Sequence, residues 1–224
     1  MSKPSVIVFD VNETLSDMSP LEDRFIKVGL PKAAASLWFA TLLRDGFALT
    51  AAGDPASFPL LAAENARLLL AEHGRMGDAE GAVQQVMSGM SELRLHPDVA
   101  DGVRALRAGG IRLVTLSNGR TDLADRLFRD AGIRDEFELL LSVDGATLWK
   151  PARAAYEYAA ASCQVPPEQM LLVAVHPWDI HGAANAGLRT AWLNRTGAQY
   201  PTYFRHPDHT IPALTALPAA LDGP

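Results

Sequence analysis

Ser5-Val6-Ile7-Val8-Phe9-Asp10-Val11-Asn12-Glu13-Thr14-Leu15 is an apolar run, with three β-branched residues in succession, that stops at a carboxylate. Such a run reads as a central parallel strand covered on both faces. In an open α/β sheet the ligand crevice lies beyond the carboxyl ends of the strands, and Asp10 stands at that edge ahead of a short polar loop. Position alone makes it a candidate nucleophile or metal ligand.

Outward from this strand, the 224 residues suffice for one α/β domain or for a core with a smaller insertion. At 48% apolar and 21% charged, the composition is that of an ordinary globular protein. A net charge of -6 without a Lys/Arg run argues against nucleic acid or an anionic membrane as partner. The single cysteine, Cys163, excludes an internal disulfide and a cysteine-rich zinc site and fits a reducing compartment. No secretory signal is visible, and the longest apolar stretch, Ala33 to Leu43, is too short for a membrane span. The expectation is a cytoplasmic protein.

After Leu15 the pattern turns helical, with Ser19-Pro20-Leu21-Glu22 as N-cap, first-turn proline and third-position acid. Further helices are expected over Ala33 to Leu49, Leu60 to His73 and Asp78 to Leu93, with no convincing strand among them. A helical block of this size between two strands reads as an insertion, since a crossover needs only one helix. A helix from His96-Pro97 to Gly109-Gly110 restores the alternation. Strands follow at Ile111 to Leu116, Phe137 to Leu141, Met170 to Val175 and Thr190 to Leu193. Between them lie a helix capped by Thr121, one begun by Lys150-Pro151, and one after Pro177-Trp178-Asp179. The alternation predicts a parallel sheet with helices on both faces, a Rossmann-like α/β core of residues 1–15 and 94–224 around a helical domain of residues 16–93. The tail from Thr196 ends in a short helix over Pro212 to Leu221, and His206 and His209 in it read as surface residues.

Polar residues collect at the strand ends: Asp10, then Ser117 and Asn118, then His176 and Asp179, with Lys150 opening the helix after the third strand. In a parallel sheet these ends share one edge, so the residues converge in one crevice. Lys150 can hold a carboxylate nucleophile ionised. The Ser117 hydroxyl and the amides of Val11 and Asn12 can serve an anionic substrate group. Asp179 can act as base for the water that hydrolyses a covalent ester.

Asp10 with Thr14, Ser117-Asn118, Lys150-Pro151 and Asp179, in this order and spacing, resemble the four motifs of the haloacid dehalogenase superfamily, with residues from about 16 to 93 in the place of its helical cap. Most members are magnesium phosphatases, with a second Asp two residues after the nucleophile and an acid four residues before the Asp179 position. Here these are Asn12 and Val175, which disfavours phosphoryl transfer and costs a hard cation an oxygen ligand. Tyr156, Ser117-Asn118-Gly119 and Trp178-Asp179 resemble instead the (S)-2-haloacid dehalogenases. That likeness implies an Asp10 oxygen displacing halide from C2 of a small 2-haloacid, an aspartyl ester hydrolysed by water, no metal or other cofactor, and a homodimer. Asp10, Lys150, Asp179, Ser117 and Thr14 would be catalytic; Val11, Asn12, Asn118, Tyr156, His176, Trp178 and Phe39 would line the substrate site. The sequence departs from the family at Phe39, where a halide-binding Arg is expected, at Asn12 in place of Tyr, and at Ala174 and His176 in place of Ser and Asn. A phosphatase of unusual motif and a non-catalytic binding protein on the same fold are the alternatives.

Overall fold

The computed structural model describes residues 3–75 and 77–223. The chain forms two units, Met1–Ser16 with Leu95–Pro224, and Asp17–Arg94. The first is built on a six-stranded parallel sheet of β1 (Val6–Phe9), β4 (Arg112–Ser117), β5 (Leu139–Ser142), β6 (Met170–Ala174), β7 (Arg189–Leu193) and β8 (His209–Ile211), in the order β5-β4-β1-β6-β7-β8. All four residues of β1 are fully buried, as a strand with both faces covered requires. Burying each such side chain contributes about 1.5–3 kcal/mol, so the middle of the sheet is the natural core.

The register fixes the edge. Phe9 is level with Thr115 of β4 and Val173 of β6, and Ser117 is level with Ser142 of β5. The chain steps outward from β1 through β4 to β5, then returns to the other side of β1 and continues through β6, β7 and β8. Asp10 therefore stands at the point where the strand order reverses, the usual crevice of a doubly wound sheet. The accompanying helices are α5 (Val99–Ala108), α6 (Thr121–Asp130), α7 (Arg153–Cys163), α8 (Pro177–Ala186) and α9 (Leu217–Asp222).

The second unit is helical, with α1 (Leu21–Lys27), α2 (Ala34–Ala52), α3 (Phe58–Glu72) and α4 (Ala79–Met90). Phe25 and Trp38 pack with ring centroids 5.6 Å apart, and the Trp38 indole N–H donates to the Ala62 carbonyl at 2.8 Å. Short strands β2 (Ser16–Asp17) and β3 (Arg94–Leu95) pair where the chain passes between the units. No helix among the described residues is long and apolar enough to cross a membrane.

Several local expectations need correcting. Pro20, not Ser19, holds the N-cap position of α1, with no side-chain cap bond; Ser19 lies in the preceding turn, where its N–H donates to the Asp17 carboxylate at 2.9 Å. Thr121 is already inside α6, whose cap position is Arg120. Lys150 and Pro151 precede α7 by a short turn. His209 is no surface residue of a tail: it opens β8, half-buried, with Nε2 3.3 Å from an Arg189 guanidinium nitrogen. This strand escaped notice because only Ile211 of its three residues is buried, leaving no alternating pattern.

Candidate active site

The loop after β1 closes on itself. The Val11 carbonyl accepts the N–H groups of Leu15 at 2.9 Å and Ser16 at 3.0 Å, and the Ser16 hydroxyl at 3.2 Å. Glu13 adopts a left-handed backbone with φ 61° to make that turn, a conformation that costs an L residue energy and needs its surroundings to hold it. The His96 ring Nε2 lies 3.0 Å from the Glu13 carbonyl. Thr14, fully buried, donates its hydroxyl to Asp10 Oδ2 at 2.6 Å and accepts the Val175 N–H at 3.1 Å, tying the loop to the end of β6.

Lys150 is wholly buried, its ammonium 2.9 Å from Asp10 Oδ1 and 2.6 Å from Asp179 Oδ2. An ammonium so enclosed persists only with paired counter-charges. Asp179 lies in the first turn of α8, and its other oxygen accepts the Tyr156 hydroxyl at 2.7 Å. Burial alone would raise the Asp10 carboxyl, but Lys150, with help from His176 and Thr14, holds it below the usual aspartate range. Asp179 moves the other way: burial, reinforced by the charge of Asp10, outweighs Lys150 and Tyr156 and raises its proton affinity. Burial opposes the Lys150 charge, yet the two carboxylates hold its pKa above that of a free lysine. The result is an ionised acid at the strand end and a more basic one behind it, the division of labour that a nucleophile and a base require.

Ser117 accepts the Gly119 N–H at 2.9 Å, which leaves its own hydroxyl hydrogen to donate. His176 stacks on Trp178, and the Lys150 ammonium lies 5.9 Å from the Trp178 ring centroid. Two residues expected at the substrate site brace the charged cluster. Asn118 grips the Lys150 backbone at both ends of its carboxamide, accepting the N–H at 2.9 Å and donating to the carbonyl at 3.2 Å. Tyr156 is fully buried with its hydroxyl on Asp179, where burial raises it well above an ordinary tyrosine. Phe39 belongs to the helical unit, its ring 6.3 Å from Trp38.

Sequence reasoning missed Arg195 and Asp98. The Arg195 guanidinium donates to the Thr14 carbonyl at 2.9 Å and to Asp98 at 2.7 Å, and the other Asp98 oxygen accepts the Leu214 N–H at 2.6 Å. Arg195 lies two residues past β7, at the same strand edge as Asp10, and that position was the signal available.

A glycine in α8 tests how tightly this support is packed. A Cβ built on Gly182 would lie 2.5 Å from the Tyr156 hydroxyl oxygen, 2.6 Å from Pro151 Cβ and 3.0 Å from the Pro151 carbonyl oxygen. Gly182→Ala is expected to destabilise by about 1–3 kcal/mol, as overpacking does. Urea unfolding checks this, and an unchanged midpoint would contradict the packing described.

Fold and site together define a doubly wound α/β enzyme core with its charged groups at the carboxyl edge of the sheet. Comparison with known proteins narrows this class. The family model of haloacid dehalogenase-like hydrolases matches residues 4–187. Haloacetate dehalogenase H-2 of Moraxella sp. (strain B) is 32% identical over 219 residues, 97% of each chain. (S)-2-haloacid dehalogenase 2 of Pseudomonas sp. (strain CBS-3) is 27% identical over 96% of this chain and 95% of its own. The crystal structure of a dehalogenase with an intermediate complex superposes with a TM-score of 0.91 at 25% identity, covering all of both chains. The chain belongs to the haloacid dehalogenase-like hydrolases, and among them it is similar to haloacetate and (S)-2-haloacid dehalogenases.

Proposed function

We propose that this hydrolase removes halide from a small 2-haloalkanoic acid by way of an ester on Asp10. The observation that carries the reading is the buried Lys150 ammonium bridging Asp10 and Asp179, in a chain 32% identical to a haloacetate dehalogenase. Asp10 stays ionised and is held by Thr14 and Lys150, so its oxygen meets C2 with little orientation left to find. Such positioning can supply roughly 7–11 kcal/mol of a barrier. The Ser117 hydroxyl and the loop at Val11 and Asn12 receive the substrate carboxylate. Asp179, the more basic acid, takes the proton of the hydrolysing water. Tyr156 and Asn118 fix Asp179 and Lys150 from behind. A cytoplasmic location and a homodimer belong to the same proposal, and sedimentation checks the latter.

Halide release from chloroacetate and 2-chloropropionate, measured beside p-nitrophenyl phosphate hydrolysis with magnesium or EDTA, tests the reading. Halide from the haloacids with and without EDTA is expected. Turnover of the phosphate alone, only with metal, would overturn it in favour of a phosphatase; no turnover of either would favour a binding protein.

A further inference from the structure

In dehalogenation through Asp10, Lys150 and Asp179, His176 only helps to hold Asp10 ionised at the edge of the substrate site, although its ring lies 3.7 Å from the nucleophile. Any role for that ring in breaking down the Asp10 ester rests on the dehalogenase reading. His176 stacks on Trp178 with ring centroids 5.0 Å apart and planes at 19°. Its Nε2 lies 3.2 Å from the Asn12 carbonyl oxygen, 3.7 Å from Asp10 Oδ2 and 3.7 Å from Glu13 Oε2. The Asn12 carbonyl can only accept a hydrogen bond, and at 3.2 Å it favours the tautomer with the hydrogen on Nε2. The two oxygens of Asp10 are thereby unlike. Oδ1 has the Lys150 ammonium at 2.9 Å, whereas Oδ2 has the Thr14 hydroxyl at 2.6 Å and faces the imidazole.

We propose that His176 Nε2–H and the Thr14 hydroxyl form the oxyanion site for Asp10 Oδ2 when the ester is hydrolysed. In the first half-reaction Oδ1 bonds to C2, the carbon–halogen bond breaks, and its electron pair leaves with the halide. Oδ2 is then the ester carbonyl. Water adds to Cγ, gives one proton to the base, and the carbonyl π pair moves onto Oδ2. The negative charge forms beside the Thr14 hydroxyl, already at 2.6 Å, and the His176 imidazole, 3.7 Å away. Shortening of the 3.7 Å separation to ordinary hydrogen-bond length, about 2.9 Å, strengthens the contact as charge develops. Collapse breaks Cγ–Oδ1, the pair stays on the 2-hydroxy acid oxygen, and that oxygen takes the remaining proton of the water. Halide, one proton and the hydroxy acid are the net products, and Asp10 is again a carboxylate.

The division into half-reactions supplies the test. His176→Phe keeps a ring to stack on Trp178 but has no donor; His176→Asn keeps a donor on a shorter side chain. With 2-chloropropionate and enzyme in excess, the halide burst of both variants is expected to slow as well, since His176 helps to keep Asp10 ionised, but by at least about tenfold less than ester hydrolysis does. Ester hydrolysis should slow about 100-fold or more in His176→Phe, the loss typical of a missing oxyanion donor, and clearly less in His176→Asn. Mass spectrometry should then find the ester accumulated on the peptide holding Asp10 in His176→Phe. Turnover of His176→Phe at the wild-type rate, or equal slowing of burst and turnover in both variants, would overturn the proposal. If the wild type releases no halide, the dehalogenase reading itself fails and takes this inference with it.

Discussion

Asp10→Asn should keep the fold and lose halide release by about 10⁴-fold or more, because it removes the charge of the attacking oxygen while keeping the shape of the side chain. The carboxamide has the shape of the carboxylate: its oxygen can take the position that the Lys150 ammonium meets at 2.9 Å, and its NH2 then faces the Thr14 hydroxyl, which can accept. Lys150 keeps Asp179 at 2.6 Å, so the buried charges go from two acids and one base to one of each. Because its surroundings hold Asp10 below the usual aspartate range, the fold favours the charge that the variant lacks, and the melting temperature should fall modestly while the protein stays folded. A halide electrode and a thermal melt measure the two effects. Residual activity within tenfold of the wild type would remove Asp10 from the role of nucleophile.

Lys150→Met should damage both activity and stability. The ammonium is fully buried between two buried carboxylates, and taking one partner from such a cluster typically costs about 3–5 kcal/mol, since charge is left uncompensated. Lys150 is also the largest influence holding Asp10 below the usual aspartate range. Without it the Asp10 carboxyl rises, a larger fraction is protonated at a given pH, and the acid limb of kcat/KM should move to higher pH. The alkaline side follows with its own sign. Lys150 has a raised pKa in the folded protein, so its contribution is complete below about pH 10 and is lost as the pH climbs through the folded value. Tyr156, held neutral well above its ordinary value, adds a loss in the same direction. The wild type should therefore lose stability steeply in alkali, and Lys150→Met should lose less. Urea midpoints across pH and a kcat/KM profile measure these effects; an unmoved acid limb would contradict the electrostatic role given to Lys150.

The sheet was legible because its strands are buried on both faces and so read as short apolar runs. Val6 to Phe9 and Met170 to Ala174 are the clearest; the first runs directly into Asp10, and the second reaches His176 after Val175. Asp10, Ser117, His176 and Asp179 could be grouped before any coordinates, since parallel strands send their carboxyl ends to one edge. What those residues touch was not legible. The family resemblance places Asn118 and Tyr156 at the substrate site, and a motif does not show that their hydrogen bonds run inward to Lys150 and Asp179. Arg195 was overlooked because it acts on a backbone carbonyl, that of Thr14, and a carbonyl leaves no mark on a sequence. Strand β8 was hidden for a similar reason: its pairing with β7 is between backbones at a sheet edge.

The claim on which the chemistry depends is that Asp10 bonds covalently to the substrate carbon. A single turnover in heavy-oxygen water, with enzyme in excess over 2-chloropropionate, addresses it directly. The hydroxyl of the first product molecule should carry ordinary oxygen drawn from Asp10, and the peptide containing Asp10 should carry the heavy isotope afterwards. Heavy oxygen in the first product, with an unlabelled Asp10, would mean that water attacks the carbon itself and that no ester forms.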